Sequence, residues 1–260
     1  MCTLTIVPRD DGYLLGMNRD ERVARGAASW PRKAVAGPTE VLYPLDVAGG
    51  TWIAVNEHRM AFALLNWNDV FLHGVHLPAT RSRGFVIPEV IRSSSLEQVQ
   101  SLLRNLRLDG TRPFRLMGVF PDDRQIREWR WDTTRLYSQR HAWERRHWFS
   151  SSLSDQRAQA LRGGVCEHAW TQEGAGSLVW LRRLHASHAN GPGPFSICVH
   201  REDVRTLSYT EVVCNADVAH VNYIPGSPCL RWAEGIQCAL NARTALSPPN
   251  ANALERAYSI

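Results

Sequence analysis

The stretch Cys2-Thr3-Leu4-Thr5-Ile6-Val7, followed by Asp10-Asp11-Gly12 and then by Tyr13-Leu14-Leu15-Gly16-Met17-Asn18-Arg19-Asp20-Glu21, decides the fold. Residues 2–7 alternate and are rich in β-branched side chains, the Asp-Asp-Gly triplet is a turn signal, and residues 13–17 form a second short apolar run. This predicts an opening antiparallel hairpin. Closing at residues 10–12 brings residues near 18–20 back beside residues 2–4.

Chemistry enters with Cys2. Removal of Met1 would leave a cysteine whose α-amine and thiol belong to the same residue, so that nucleophile and base are supplied together. An α-amine of ordinary pKa about 7.7–8.0 is partly neutral at pH 7, beside a thiol of about 8.5. Alone, Cys2 reads most simply as a small buried strand residue. Asp20, returned beside it by the hairpin, changes the balance. A carboxylate there orients the amine and stabilises its protonated form. Asn66 ends the apolar run of residues 60–65 and is a candidate oxyanion donor, although a lone Asn is more often a turn former.

Outward from the hairpin, residues 24–38 read as loop, and Gly49-Gly50-Thr51-Trp52-Ile53-Ala54-Val55 and residues 60–65 as a strand pair. Leu96, Val99, Leu103 and Leu106 recur at helical spacing, with Ser94 and Glu97 as a capping box and Asp109-Gly110 as the stop. Residues 114–120 and 126–131 read as strands around an Asp122-Asp123 turn. Residues 155–162 and 178–188 are helix candidates, and residues 195–200 and 205–213 a second hairpin. Strands, then helices, then strands imply an α+β layering in one domain, residues 1–260, with no internal repeat.

The chain has 260 residues, 44% hydrophobic and 21% charged, which excludes a disordered or fibrous polypeptide. Its 30 basic and 25 acidic side chains leave a charge of +5. Lys33 is the only lysine, and the arginines are scattered rather than gathered in a stripe, so no nucleic-acid partner is expected. No apolar run approaches the roughly 18–20 residues of a membrane span. Pro8, Arg9, Asp10 and Asp11 interrupt any leader-like segment, and the six cysteines form no C-x-x-C pair; a cytoplasmic chain with free thiols is expected.

Met1-Cys2, Asn18-Arg19-Asp20-Glu21, Gly49-Gly50-Thr51-Trp52, Leu65-Asn66-Trp67 and Ser82-Arg83-Gly84 occur in this order. Together they resemble the amino-terminal third of the NRDE family, also called the transport and Golgi organisation protein 2 family. The resemblance covers residues 1–95 well and the rest loosely. That family is similar to N-terminal-nucleophile (Ntn) hydrolases, which include cysteine amidases such as penicillin V acylase and bile salt hydrolase. It implies an αββα four-layer sandwich of two mainly antiparallel sheets. By the same resemblance Cys2, Asp20 and Asn66 are the catalytic set, acting on a linear amide of a small N-acylated substrate, with Asn18, Arg19, Trp52 and Trp67 as substrate-binding candidates. Three positions depart from the relatives' pattern. Met17 stands where the amidases carry an arginine, Ser152 where a second asparagine is expected, and Gly193 in a segment that usually holds an arginine. These departures favour the alternative, a non-catalytic carrier of an apolar ligand such as haem or an acyl-CoA, as in haem trafficking.

Two further groups carry donor or aromatic side chains. His185 and His188 share a helical face, and Ser196, Cys198 and His200 share a strand face. These are donor types that bind zinc, but nothing in the spacing obliges helix and strand to converge, so satisfied core residues are the simpler expectation, with no metal and no cofactor. The Ser196/Cys198/His200 and Thr206/Ser208/Thr210 faces are expected between the layers, near the inner end of a pocket. Trp129, Trp131, Trp143 and Trp148 are expected to pack the core, with Trp52 nearest the site.

Overall fold

The structure is a computed structural model and describes residues 2–70, 80–189, 191–230 and 235–243. The opening hairpin forms as its sequence predicts. Strands β1 (Cys2–Pro8) and β2 (Tyr13–Arg22) pair antiparallel, with Cys2 opposite Arg19 and Leu4 opposite Met17. The turn closes where the Arg9 N–H donates to the Gly12 carbonyl at 2.8 Å.

The chain continues through β3 (Ser29–Ala36), β4 (Thr39–Leu45), β5 (Ile53–Asn56) and β6 (Ala61–Asn66), then helices α1 (Val86–Val90) and α2 (Leu96–Asn105). Strands β7 (Phe114–Phe120), β8 (Gln125–Trp131), β9 (Leu136–His141) and β10 (Arg146–Ser150) follow. Helices α3 (Asp155–Ala169) and α4 (Leu178–His185) precede β11 (Val204–Cys214), β12 (Val218–Pro225) and β13 (Ile236–Asn241). One sheet runs β10-β1-β2-β11-β12-β13 and the other β3 through β9 in sequence order, with every named pairing antiparallel.

Strand alternation divides the apolar residues among three layers. Leu4, Ile6, Leu15 and Met17 face Ile53, Val55, Ala61 and Ala63 between the sheets. Phe62, Leu64 and Leu116 on the far face of the second sheet pack on Val86, Val90, Val99 and Leu103 of α1 and α2. Val7, Leu14 and Phe149 on the far face of the first pack on Ala158, Cys166, Trp180 and Leu181 of α3 and α4. The result is the expected α+β four-layer αββα sandwich. Trp129 and Trp131 join the second core, Trp148 the first, and Trp143 packs partly buried against it.

Three local expectations are corrected. Residues 24–38 are not loop throughout: β3 occupies an edge, its exposed Arg32 and Lys33 hiding the alternation that an interior strand would display. The α2 cap falls one residue later than expected, with Ser95 Oγ accepting from the Gln98 N–H. Residues 195–200 are not a strand, and only His200 bridges to Arg205. There the Ser196 hydroxyl bonds the Gly193 and Cys198 carbonyls at 2.8 and 2.5 Å, a local alternative to the ladder.

Candidate active site

Cys2 begins β1 between two strands that fix it from both sides, with Arg19 of β2 opposite on one and Ser150 of β10 on the other. Its backbone N–H donates to Ser150 Oγ at 2.9 Å. The residue is 7% exposed. Burial pushes the Cys2 thiol above its ordinary value and the Asp20 charge adds to this, while the Asp20 backbone N–H, donated to the sulfur, opposes it. A thiol so placed stays protonated until a base removes its proton.

Asp20 follows Arg19 and is turned toward the helix-covered face. Thr206 of β11 donates its hydroxyl to Asp20 Oδ1 at 2.7 Å, and Arg162 of α3 stands 3.7 Å from Oδ2. Burial raises the Asp20 carboxyl from its ordinary value against the pull of Arg162 and Thr206. Arg162 also donates to Thr3 Oγ1 at 3.1 Å and to the Cys2 and Ser150 carbonyls at 3.4 Å. One guanidinium thus braces both strands that hold Cys2 and the carboxylate beside it.

At these strand ends lies a cavity of about 440 Å³, lined by Cys2, Asp20, Asn66, Arg19 and Trp52 among others. β1 lies against β6 across the sheet interface, which brings Asn66, the last residue of β6, to the same opening. Beyond it, Asp155 at the start of α3 accepts from the Asn68 and Ser151 backbone N–H groups, each at 2.6 Å, tying the segment after Asn66 to the segment after Ser150. Arg19 lies over the Trp52 ring at 4.7 Å and forms an ion pair with Asp46, which Arg25 also meets at 2.9 Å. Two Gly-containing motifs meet here. A Cβ on Gly50 would lie 2.7 Å from Gly84 Cα, and the Thr51 N–H donates to the Gly84 carbonyl at 3.1 Å. This contact carries Arg83 into the lining, where burial and neighbouring Arg112 lower its pKa to about 10. The residue remains cationic at neutral pH.

Of the expected site residues, Cys2, Asp20, Asn66, Arg19 and Trp52 converge. Asn18 and Trp67 do not. Asn18 is fully buried under α4, its amide donating to the His185 and Ile197 carbonyls at 2.9 Å each, because alternation turns it to the face opposite Arg19. Trp67 packs toward Arg130, whose guanidinium lies 5.8 Å from its ring. Arg162 and Ser150 support Cys2 and Asp20 in roles the sequence did not indicate, while Thr206, expected near a pocket, instead holds Asp20 from behind. Arg162 left one signal: it shares an i,i+4 stripe with Ala158 and Cys166, so it must be buried with them. Of the departures, Met17 is buried between the sheets and Ser152 is exposed, while Gly193 offers its carbonyl to the His200 N–H at 3.2 Å. None of Ser196, Cys198, His200, Thr206, Ser208 and Thr210 lines the cavity.

The sequence profile of Transport and Golgi organisation 2 matches residues 1–173. The chain belongs to this family. Its fold is that of the Ntn-hydrolase cysteine amidases. Penicillin V acylase from Agrobacterium tumefaciens superposes with a TM-score of 0.52 at 13% identity, over 86% of this chain and 83% of the acylase. A variant of conjugated bile acid hydrolase from Clostridium perfringens gives 0.51 at 12% identity, over 93% of this chain and 92% of the hydrolase. No match is found among curated proteins by sequence. No described helix is long and apolar enough to cross a membrane.

Proposed function

We propose that this family member is an N-terminal-cysteine hydrolase that cleaves the linear amide of a small N-acylated, anionic substrate. The observation that carries the reading is the shared cavity of Cys2, Asp20 and Asn66. Removal of the residue before Cys2 frees its α-amine. Ser150 Oγ, which already contacts that nitrogen, and the nearby Asp20 carboxylate then orient it. The amine takes the thiol proton as Sγ bonds to the substrate carbonyl carbon. Asn66 and Arg83 face the developing oxyanion, where preorganised donors act most strongly. The C–N bond breaks, the amine product leaves with the proton, and water then releases the acyl group as a carboxylate and restores the thiol.

Charge in the cavity supports an anionic substrate. Arg19, Arg25, Arg81, Arg83 and Arg112 outnumber the carboxylates Asp20, Glu21 and Asp46 in its lining. Trp52, whose indole N–H is buried with no partner among the described residues, offers a donor to the same ligand. The reading treats residues 1–260 as one domain, since Arg162 in the second half braces Cys2 and Asp20 in the first. The test is the intact mass of the purified protein together with turnover of a panel of N-acyl amino acids. Loss of the mass of one methionine residue, a thioester adduct on Cys2 and release of free amine are expected, on the order of one adduct per chain. Retained Met1 would end the mechanism as written.

A second reading, a carrier of haem or an acyl chain, is favoured by a groove of about 590 Å³ between α3 and α4. Leu161, Val165, Ala169 and Leu184 give it apolar walls, and His168 offers an imidazole at its surface. A haem titration that survives Cys2→Ala and weakens in His168→Ala supports the carrier over the hydrolase.

A further inference from the structure

We propose that His188, Cys198, His200 and Cys229 form a tetrahedral zinc site that is structural rather than catalytic. The four side chains come from three separate segments: the turn after α4, the loop of residues 195–200 and the segment after β12. Their ligand atoms all lie within 4.8 Å of one another. Cys198 Sγ is 3.7 Å from Cys229 Sγ and 3.6 Å from His200 Nε2, and Cys229 Sγ is 3.4 Å from the same nitrogen.

These separations can be compared with what a metal demands. With Zn–S about 2.3 Å and Zn–N about 2.0–2.1 Å, the edges of a tetrahedron are about 3.8 Å between sulfurs and about 3.5 Å between sulfur and nitrogen. The three edges among Cys198, His200 and Cys229 follow that pattern, and His188 lies within 4.8 Å of each. Cys198 and Cys229 are both free thiols at this separation, which exceeds the roughly 2.0 Å of a formed disulfide. The His188 ring stands edge-on to His200 with centroids 4.8 Å apart. Its Nε2 is buried with no hydrogen-bond partner among the described residues, a polar atom left without a role unless it has a ligand.

Donor type selects the ion. Two thiolates with two imidazoles in a tetrahedron suit zinc, whereas hard cations take oxygen ligands. Four protein donors leave no open position for water, which makes the site structural. On binding, each thiol releases its proton to solvent and the imidazoles bind neutral. His185, expected beside His188, is not a member: its ring bonds Asn18 Oδ1 at 3.1 Å and Thr5 Oγ1 at 3.0 Å inside the core. Cys229 takes the fourth place, arriving by tertiary contact alone.

The site stands behind Asp20. Val199, between two of the ligands, donates its N–H to Thr206 Oγ1 at 2.8 Å and accepts from the Thr206 N–H at 3.1 Å, and the same hydroxyl holds Asp20. A metal clamp on Cys198 and His200 therefore fixes the loop that positions Thr206. The inference does not depend on any reaction at Cys2.

The test uses the untagged full chain from zinc-supplemented culture. Elemental analysis is expected to give about one zinc per chain, and replacement by Co²⁺ to give the visible absorption of a tetrahedral thiolate complex. Cys198→Ser and Cys229→Ser should each lose both signals, whereas Cys166→Ser and Cys214→Ser should keep them. If the ligand variants fail to fold, the metal content and cobalt spectrum of the unmodified chain decide the matter. A folded chain with far less than one zinc that gives no thiolate spectrum with cobalt overturns the proposal. So does a metal centre whose X-ray absorption contains no sulfur ligand, or a metal-free protein with Cys198 and Cys229 joined as a disulfide.

Discussion

The Arg162 guanidinium stands 3.7 Å from the Asp20 carboxylate, and neither side chain has any exposure to solvent. The pair links helix α3 to the end of β2, 142 residues apart along the chain by the difference of their numbers. Burial works against both charges, lowering the arginine's pKa and raising the carboxyl's, so each depends on the other and on the surrounding donors.

Removing the cation strands the carboxylate. Arg162→Met is expected to destabilise the fold by about 3–5 kcal/mol, read as a lowered denaturant midpoint at unchanged slope. The double variant Arg162→Met/Asp20→Asn should recover a large part of that loss. If the single variant is as stable as the parent, the pair is not the brace described above.

The proposed nucleophile gives a prediction that separates chemistry from folding. Cys2→Ala should abolish amide turnover and the fastest thiol labelling by iodoacetamide, with the circular dichroism spectrum unchanged. In the active protein kcat/KM should rise with pH as the α-amine loses its proton, with a reference pKa of about 7.7–8.0. A flat profile across that range excludes the amine as base.

Asn66 is half-buried at the cavity and bonds to no described side chain that depends on it. Asn66→Ala is expected to lower kcat by about 10²–10³ with little change in KM, the signature of a donor engaged in the transition state. Equal losses in stability and turnover would assign it to the fold instead.

The contact between the two glycine motifs tolerates no side chain. Gly84→Ala places a Cβ 2.9 Å from Gly50 Cα and should cost about 1–3 kcal/mol while shifting Arg83 in the cavity. Gly163→Ala, mid-helix in α3 with its new Cβ meeting nothing closer than 3.5 Å, should have the opposite sign and stabilise by about 0.5–1 kcal/mol. A Gly84→Ala variant of parental stability would show that the loops separate freely.

Glu128 supplies a pH dependence. Burial alone would raise its carboxyl, but His141 at 2.9 Å, Arg115 at 2.7 Å and the Trp148 indole hold it at about 2. A carboxyl depressed in the folded state contributes stability that is complete above its unfolded value of 4.5 and is lost as pH falls toward about 2. The lost term is roughly 3 kcal/mol. In Glu128→Gln the stability curve should flatten over that window, and an unaltered acid limb would refute the assignment.

Several features were legible in the linear chain because they rest on local spacing. The hairpin turn at residues 10–12 sets the register that pairs Cys2 with Arg19, and from it follows the nearness of Cys2 and Asp20. The Leu96, Val99 and Leu103 stripe gave α2, and the ordered motifs gave the family. Edge strand β3 was hidden because one of its faces meets solvent and the alternation is lost in basic residues. Residues 195–200 alternated without forming a strand, because the one Ser196 hydroxyl bonds the Gly193 and Cys198 carbonyls in place of a ladder.

By itself the sequence determined which residues carry chemistry and which period each segment follows, since both depend on side-chain type and on neighbours a few positions away. Tertiary structure alone decided which distant groups share a space: Arg162 beneath Asp20, Asn18 turned into the core, and Cys229 beside Cys198 and His200. Such meetings are fixed by the packing of whole layers, in which the energy that buries an apolar face carries its polar passengers to places no local pattern encodes.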